Sequence, residues 1–126
     1  MSATILVVDD HPTSLKLACG VLEAEGYRVL GAADAEQVRA VLAAGTRPDL
    51  ILMDLALPGV DGLTLTRQLK ADPATQGIPI VAVTASAMKG DEAKAFEAGC
   101  DGYLTKPIGT RELCTQVAAS LRLSRL

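Results

Sequence analysis

Leu50-Ile51-Leu52-Met53-Asp54 (residues 50–54) is apolar at four successive positions and stops at a carboxylate. The run is too short for a helix and has no alternating polar position to turn toward water. Strands read this way when a parallel sheet is covered on both faces. Two further runs share the pattern: Ile5–Val8, ending in Asp9-Asp10, and Ile80–Val83, ending in Thr84. Arg28–Ala32 and Gly102–Thr105 are more mixed, which suits the edges of the sheet. Between the runs lie helical patterns. Leu15, Ala18 and Leu22 share one face and Gly26 follows; Asp34 and Gln37 form a capping-box pattern ahead of Val38, Val41 and Leu42, with Gly45 after them. Leu65 and Leu69 mark a helix after Asp61, Lys89 to Ala98 a fourth stopped by Gly99, and Leu113, Val117 and Leu121 a fifth with Glu112 near its start. Five βα units in succession predict an α/β fold, a doubly wound five-stranded parallel sheet with right-handed crossovers.

The 126 residues suit a single domain over residues 1–126, and 49% hydrophobic with 21% charged residues excludes a disordered chain. No apolar run approaches the ~20 residues of a membrane span, and no basic segment precedes Ile5 to make a signal peptide. A net charge of −3, no basic block, no Trp, one Phe and two Tyr argue against intrinsic nucleic-acid binding. Cys19, Cys100 and Cys114 show no CxxC spacing. They read as three buried or half-buried free thiols, and the expected location is the cytoplasm.

In doubly wound sheets ligands bind beyond the carboxyl ends of the strands. Asp9, Asp10, Asp54, Thr84 and Lys106 all stand at that edge. A lone aspartate there is usually a helix cap. Three are harder to dismiss, because carboxylates ~5 Å apart at an effective dielectric of ~20 repel by about 3 kcal/mol per pair. Such a cluster keeps a proton or takes a cation, and oxygen donors suit a hard ion such as Mg²⁺. His11, the only histidine, reads as a partially exposed loop residue in position to touch a donor protein rather than as a metal ligand, with Pro12 near the first turn of the following helix.

These residues lie within five ordered motifs: Val7-Val8-Asp9-Asp10, residues 48–55 (PDLILMDL), residues 57–62 (LPGVDG), Val83-Thr84-Ala85 and residues 103–107 (YLTKP). Together they resemble the response-regulator receiver domain, the CheY-like fold, over essentially the whole chain, and residues 80–92 resemble single-domain regulators of the DivK kind. The resemblance implies a strand order of 2-1-3-4-5 and an aspartyl phosphate on Asp54, formed from a phosphohistidine without turnover as an enzyme. It implies Mg²⁺ held by Asp10, Asp54 and the backbone carbonyl of Ala56, with Asp9 acting mainly through water. Thr84, the Ala85 amide and Lys106 would hold the phosphoryl group, Thr84 and Tyr103 would form the switch, and the Lys106–Pro107 bond would be cis. The implied partners are a histidine kinase or histidine phosphotransfer protein, and a downstream protein bound through the fourth helix, fifth strand and fifth helix. Ala56 and Ser86 occupy positions that affect dephosphorylation in relatives.

Two other classes fit less well. A haloacid-dehalogenase-like phosphatase needs a second aspartate two residues after the nucleophile, where Asp9 is followed by His11. A flavodoxin-type carrier needs a Ser, Thr and Gly-rich phosphate loop where this chain reads Asp9-Asp10-His11-Pro12. A receiver-like docking module working without phosphorylation, and a receiver segment of a hybrid kinase or multidomain regulator, both remain open at the level of sequence. The chain starts at the first strand and stops soon after Leu121, so no output domain is expected within it.

Overall fold

The computed structural model describes residues 3–57, 59–85, 90–106 and 109–124. Strands and helices alternate as β1 (Thr4–Val8), α1 (Pro12–Ala24), β2 (Arg28–Ala32), α2 (Ala35–Ala43), β3 (Leu50–Asp54), α3 (Gly62–Ala71), β4 (Ile80–Thr84), α4 (Asp91–Ala98), β5 (Gly102–Thr105) and α5 (Thr110–Ser124). All neighbouring strands are parallel and their order is β2-β1-β3-β4-β5. This is the 2-1-3-4-5 order that the resemblance implies, with the two mixed strands on the edges. Ser86, Lys89 at the expected start of the fourth helix, and Pro107 with its expected cis bond lie outside the described residues.

The helix ends follow their local chemistry. Pro12 opens α1, where its missing N–H costs nothing. Asp34 accepts the Gln37 N–H at 2.8 Å, and the Gln37 side chain reaches back to the Ala33 N–H at 2.7 Å, one residue beyond the usual capping-box partner. Asp61 accepts the Thr64 N–H at 2.8 Å and so caps α3. Gly99 ends α4 at φ +110°, a conformation that a side chain would strain.

Side chains alternate across each strand, so the sheet has two cores. Ile5, Val7, Leu50, Leu52, Val81, Val83 and Leu104 pack with Leu22 of α1 and Leu113, Val117 and Leu121 of α5. Leu6, Val8, Ile51, Met53, Ile80 and Ala82 pack on the other face with Val38, Leu65, Leu69 and Ala95 of α2, α3 and α4. The same alternation carried to the strand ends puts Asp9, Asp54 and Lys106 on the α1/α5 side. Thr84 and Tyr103 fall on the α2–α4 side. No helix among the described residues is long and apolar enough to cross a membrane.

Candidate functional site

Strand register brings the acidic residues to one level. Val8 pairs with Met53, so Asp9 follows β1 beside Asp54, while Asp54 pairs with Val83 and Thr84 with Thr105. Asp9 and Asp54 are both buried, Asp10 is half-buried and His11 exposed. One ligand atom from each of these four residues lies within 4.8 Å of the others. The repulsion anticipated for this cluster is partly neutralised by the chain itself. Lys106 Nζ donates to Asp9 Oδ2 at 2.8 Å and to Asp54 Oδ2 at 3.4 Å.

The remaining carboxylate oxygens are unequally satisfied. Asp9 Oδ1 accepts the His11 N–H at 2.9 Å, and Asp54 Oδ1 accepts the Ala56 N–H at 3.0 Å. Asp10 Oδ1 is buried without a hydrogen-bond partner among the described residues. A buried carboxylate oxygen with no donor is costly, and a cation is the group that would satisfy it. The donor set fits a hard dication: three carboxylates within bridging distance, one with an unused oxygen. Burial pushes the Asp54 carboxyl above its usual range, opposed by the Ala56 N–H and Lys106 and reinforced by Asp9. Burial alone would lower Lys106, but Asp9 and Asp54 outweigh it and hold the ammonium above its ordinary value. Asp54 is therefore a more basic carboxylate than a solvated one, held beside the Lys106 ammonium.

The other candidate residues surround this centre. Thr84 is buried at the end of β4, and its carbonyl accepts the Lys106 N–H at 2.7 Å. Ala85 is exposed and lines, with Asp9, Asp54 and Lys106, a cavity of about 590 Å³ that continues between α1 and α5 to Leu17. Ala56 is exposed and meets Asp54 through its N–H. Tyr103 packs against the α2–α4 core with its hydroxyl buried and without a hydrogen-bond partner among the described residues. Because Ala82 pairs with Tyr103 and Thr84 with Thr105, Tyr103 sits diagonally from Thr84 on the same face of the sheet.

Sequence reasoning assigned no role to Gly62. A Cβ at Gly62 would stand 2.4 Å from the Asp54 carbonyl oxygen and 2.7 Å from Leu55 Cα. The start of α3 therefore rests directly on the backbone that carries Asp54, and the Gly62 N–H bonds the Leu55 carbonyl at 3.2 Å. The clue in the sequence was a glycine in the first helical turn, directly after the capping Asp61.

Residues 5–118 match the family described as the response regulator receiver domain. The chain is 43% identical over 108 residues to the polar-differentiation response regulator DivK of Brucella anthropi, covering 86% of this chain and 87% of DivK. It is 41% identical over 119 residues to the phosphate regulon transcriptional regulatory protein PhoB of Pseudomonas aeruginosa, covering 94% of this chain. It spans about half of PhoB, 52% of its length. The receiver domain of the sensor histidine kinase PA1611 from Pseudomonas aeruginosa PAO1, whose active-site cleft coordinates a magnesium ion, matches with a TM-score of 0.85 at 36% identity. That match covers 97% of this chain and 99% of the other.

Proposed function

The chain belongs to the response regulator receiver domain family, and from that premise we propose that Asp54 accepts a phosphoryl group from a phosphohistidine and thereby switches a partner-binding face. The observation that carries this is the Lys106 ammonium, 2.8 Å from Asp9 and 3.4 Å from Asp54 at the carboxyl edge of the sheet. A nucleophilic carboxylate stands there beside a fixed cation and an acidic cluster, in the place where doubly wound sheets bind ligands.

Receiver domains are signalling modules that bind Mg²⁺ in this acidic pocket. Here Asp9, Asp10, Asp54 and the Ala56 carbonyl would hold the ion, which neutralises charge on the phosphoryl oxygens when bound. Asp54 attacks phosphorus in line; an O–P bond forms at its carboxylate as the P–N bond to the donor's imidazole breaks. Asp54 needs no separate base, since its nucleophilic form is the carboxylate. Lys106 exchanges part of its contact with Asp9 for the phosphoryl oxygens, and the Thr84 hydroxyl and Ala85 N–H donate to the same group.

The switch reading rests on the shared face of Thr84 and Tyr103. A charge-assisted hydrogen bond would draw Thr84 toward the phosphoryl group and open space beneath β4 for the Tyr103 ring. The face of α4, β5 and α5 then changes as a unit and binds its downstream partner differently. The phosphodonor is a histidine kinase or histidine phosphotransfer protein, and the expected setting is the cytoplasm. Incubation with acetyl phosphate and Mg²⁺, followed by intact mass, tests the acceptor. The wild type gains one phosphoryl group and Asp54→Asn gains none. Equal gain in both would assign the acceptor elsewhere, and no gain in either would favour docking without phosphorylation.

A further inference from the structure

His11 is the one residue of the four-membered cluster that the phosphoacceptor reading leaves without a task. Its Nδ1 lies 3.2 Å from Asp10 Oδ1 and 3.6 Å from Asp9 Oδ1. The short contact to Asp10 is not a hydrogen bond, because Asp10 Oδ1 has no hydrogen-bond partner among the described residues. The imidazole nitrogen and the unsatisfied carboxylate oxygen are thus two potential ligand atoms standing side by side, within 4.8 Å of one atom each from Asp9 and Asp54. A single cation could take both.

We propose that His11 is a nitrogen ligand of the divalent-cation site, so that the acidic cluster also takes first-row transition-metal dications of the Ni²⁺ or Cu²⁺ kind. The inference rests on the reading of Asp9, Asp10 and Asp54 as a cation site. Adjacent ligands about 2.1 Å from a common ion stand about 3.0–3.4 Å apart for octahedral or tetrahedral angles. The 3.2 Å separation falls inside that interval, and the 3.6 Å one needs a shift of a few tenths of an ångström. The His11 side chain is 70% exposed, which leaves it room for that movement. Mg²⁺ prefers oxygen and gains little from an imidazole, whereas Ni²⁺ and Cu²⁺ gain a great deal. The residue therefore changes which ions the site accepts while leaving Mg²⁺ affinity nearly as it is.

One histidine in the whole chain makes the test unambiguous. Protein purified without a histidine tag is titrated calorimetrically with Ni²⁺ and with Mg²⁺, and its Cu²⁺ complex is examined by electron spin-echo modulation. The wild type should show modulation from one imidazole nitrogen, absent in His11→Asn. Its Ni²⁺ affinity should exceed that of His11→Asn by about tenfold, with Mg²⁺ affinity changed less than about twofold. No imidazole modulation in the wild type, or equal Ni²⁺ affinity in both proteins, overturns the proposal. Asp10→Asn provides the separate check on the cluster. If it binds Mg²⁺ as the wild type does, the cation-site reading itself has failed, whatever His11 does.

Discussion

Replacing Gly62 by alanine puts a methyl group where the backbone of Asp54 already runs. The Cβ would sit 2.4 Å from the Asp54 carbonyl oxygen and 3.0 Å from its carbonyl carbon, whereas ordinary contacts begin near 3.4 Å. Relief therefore needs an opening of about 1 Å between the start of α3 and the end of β3. Both neighbours are main chain, so no side chain can swing aside. Overpacking of this kind costs about 1–3 kcal/mol, and a backbone clash belongs at the upper end. For a domain this size that is a fall of about 10 °C in melting temperature. Because the displaced strand end carries Asp54, Mg²⁺ affinity should fall as well. Urea unfolding with a Mg²⁺ titration measures both. Gly20→Ala is the control. Gly20 lies exposed within α1 with nothing within 4 Å of an added methyl, and alanine there should stabilise by up to about 1 kcal/mol. A loss below about 0.5 kcal/mol in Gly62→Ala, with Mg²⁺ binding unchanged, would refute the reasoning.

Three further outcomes are expected. Asp10→Asn removes one repelling charge from the cluster, so the metal-free protein should melt higher while Mg²⁺ binding weakens; a lower melting temperature would contradict this. Lys106 is held above its ordinary value of 10.5, so its contribution to stability is complete below that pH and disappears as pH rises through the folded value. The stability gap between wild type and Lys106→Met should accordingly be wide at neutral pH and close in alkali, as followed by urea unfolding across pH. Asp101 accepts from both the Ile80 N–H and Lys70 Nζ at 2.9 Å. Asp101→Ala should cost about 2 kcal/mol, chiefly through the abandoned Ile80 N–H rather than the part-exposed ion pair, and Lys70→Met should cost less.

The fold was legible in the residues because local chemistry and burial agree. Leu50 to Met53 and Ile80 to Val83 have no polar alternate, so they belong inside a sheet covered on both faces, and capping residues and glycines mark most helix ends between them. Asp9, Asp10, Asp54, Thr84 and Lys106 were legible as candidates for the same reason, since a strand's carboxyl end can be read from where its apolar run stops. Strand order came from the resemblance rather than from periodicity, which carries no information about neighbours. What the tertiary structure alone decided depends on contacts far apart in sequence. Lys106 meets Asp9 more closely than Asp54, across 97 positions, because register sets how far each side chain reaches. His11 is drawn to the carboxylates by the turn that Asp9 closes through the His11 N–H. Gly62 matters through the strand lying against it rather than through its own conformation. Such distances arise only when β1, β3, β5 and α3 are packed together, and no stretch of the chain contains them separately.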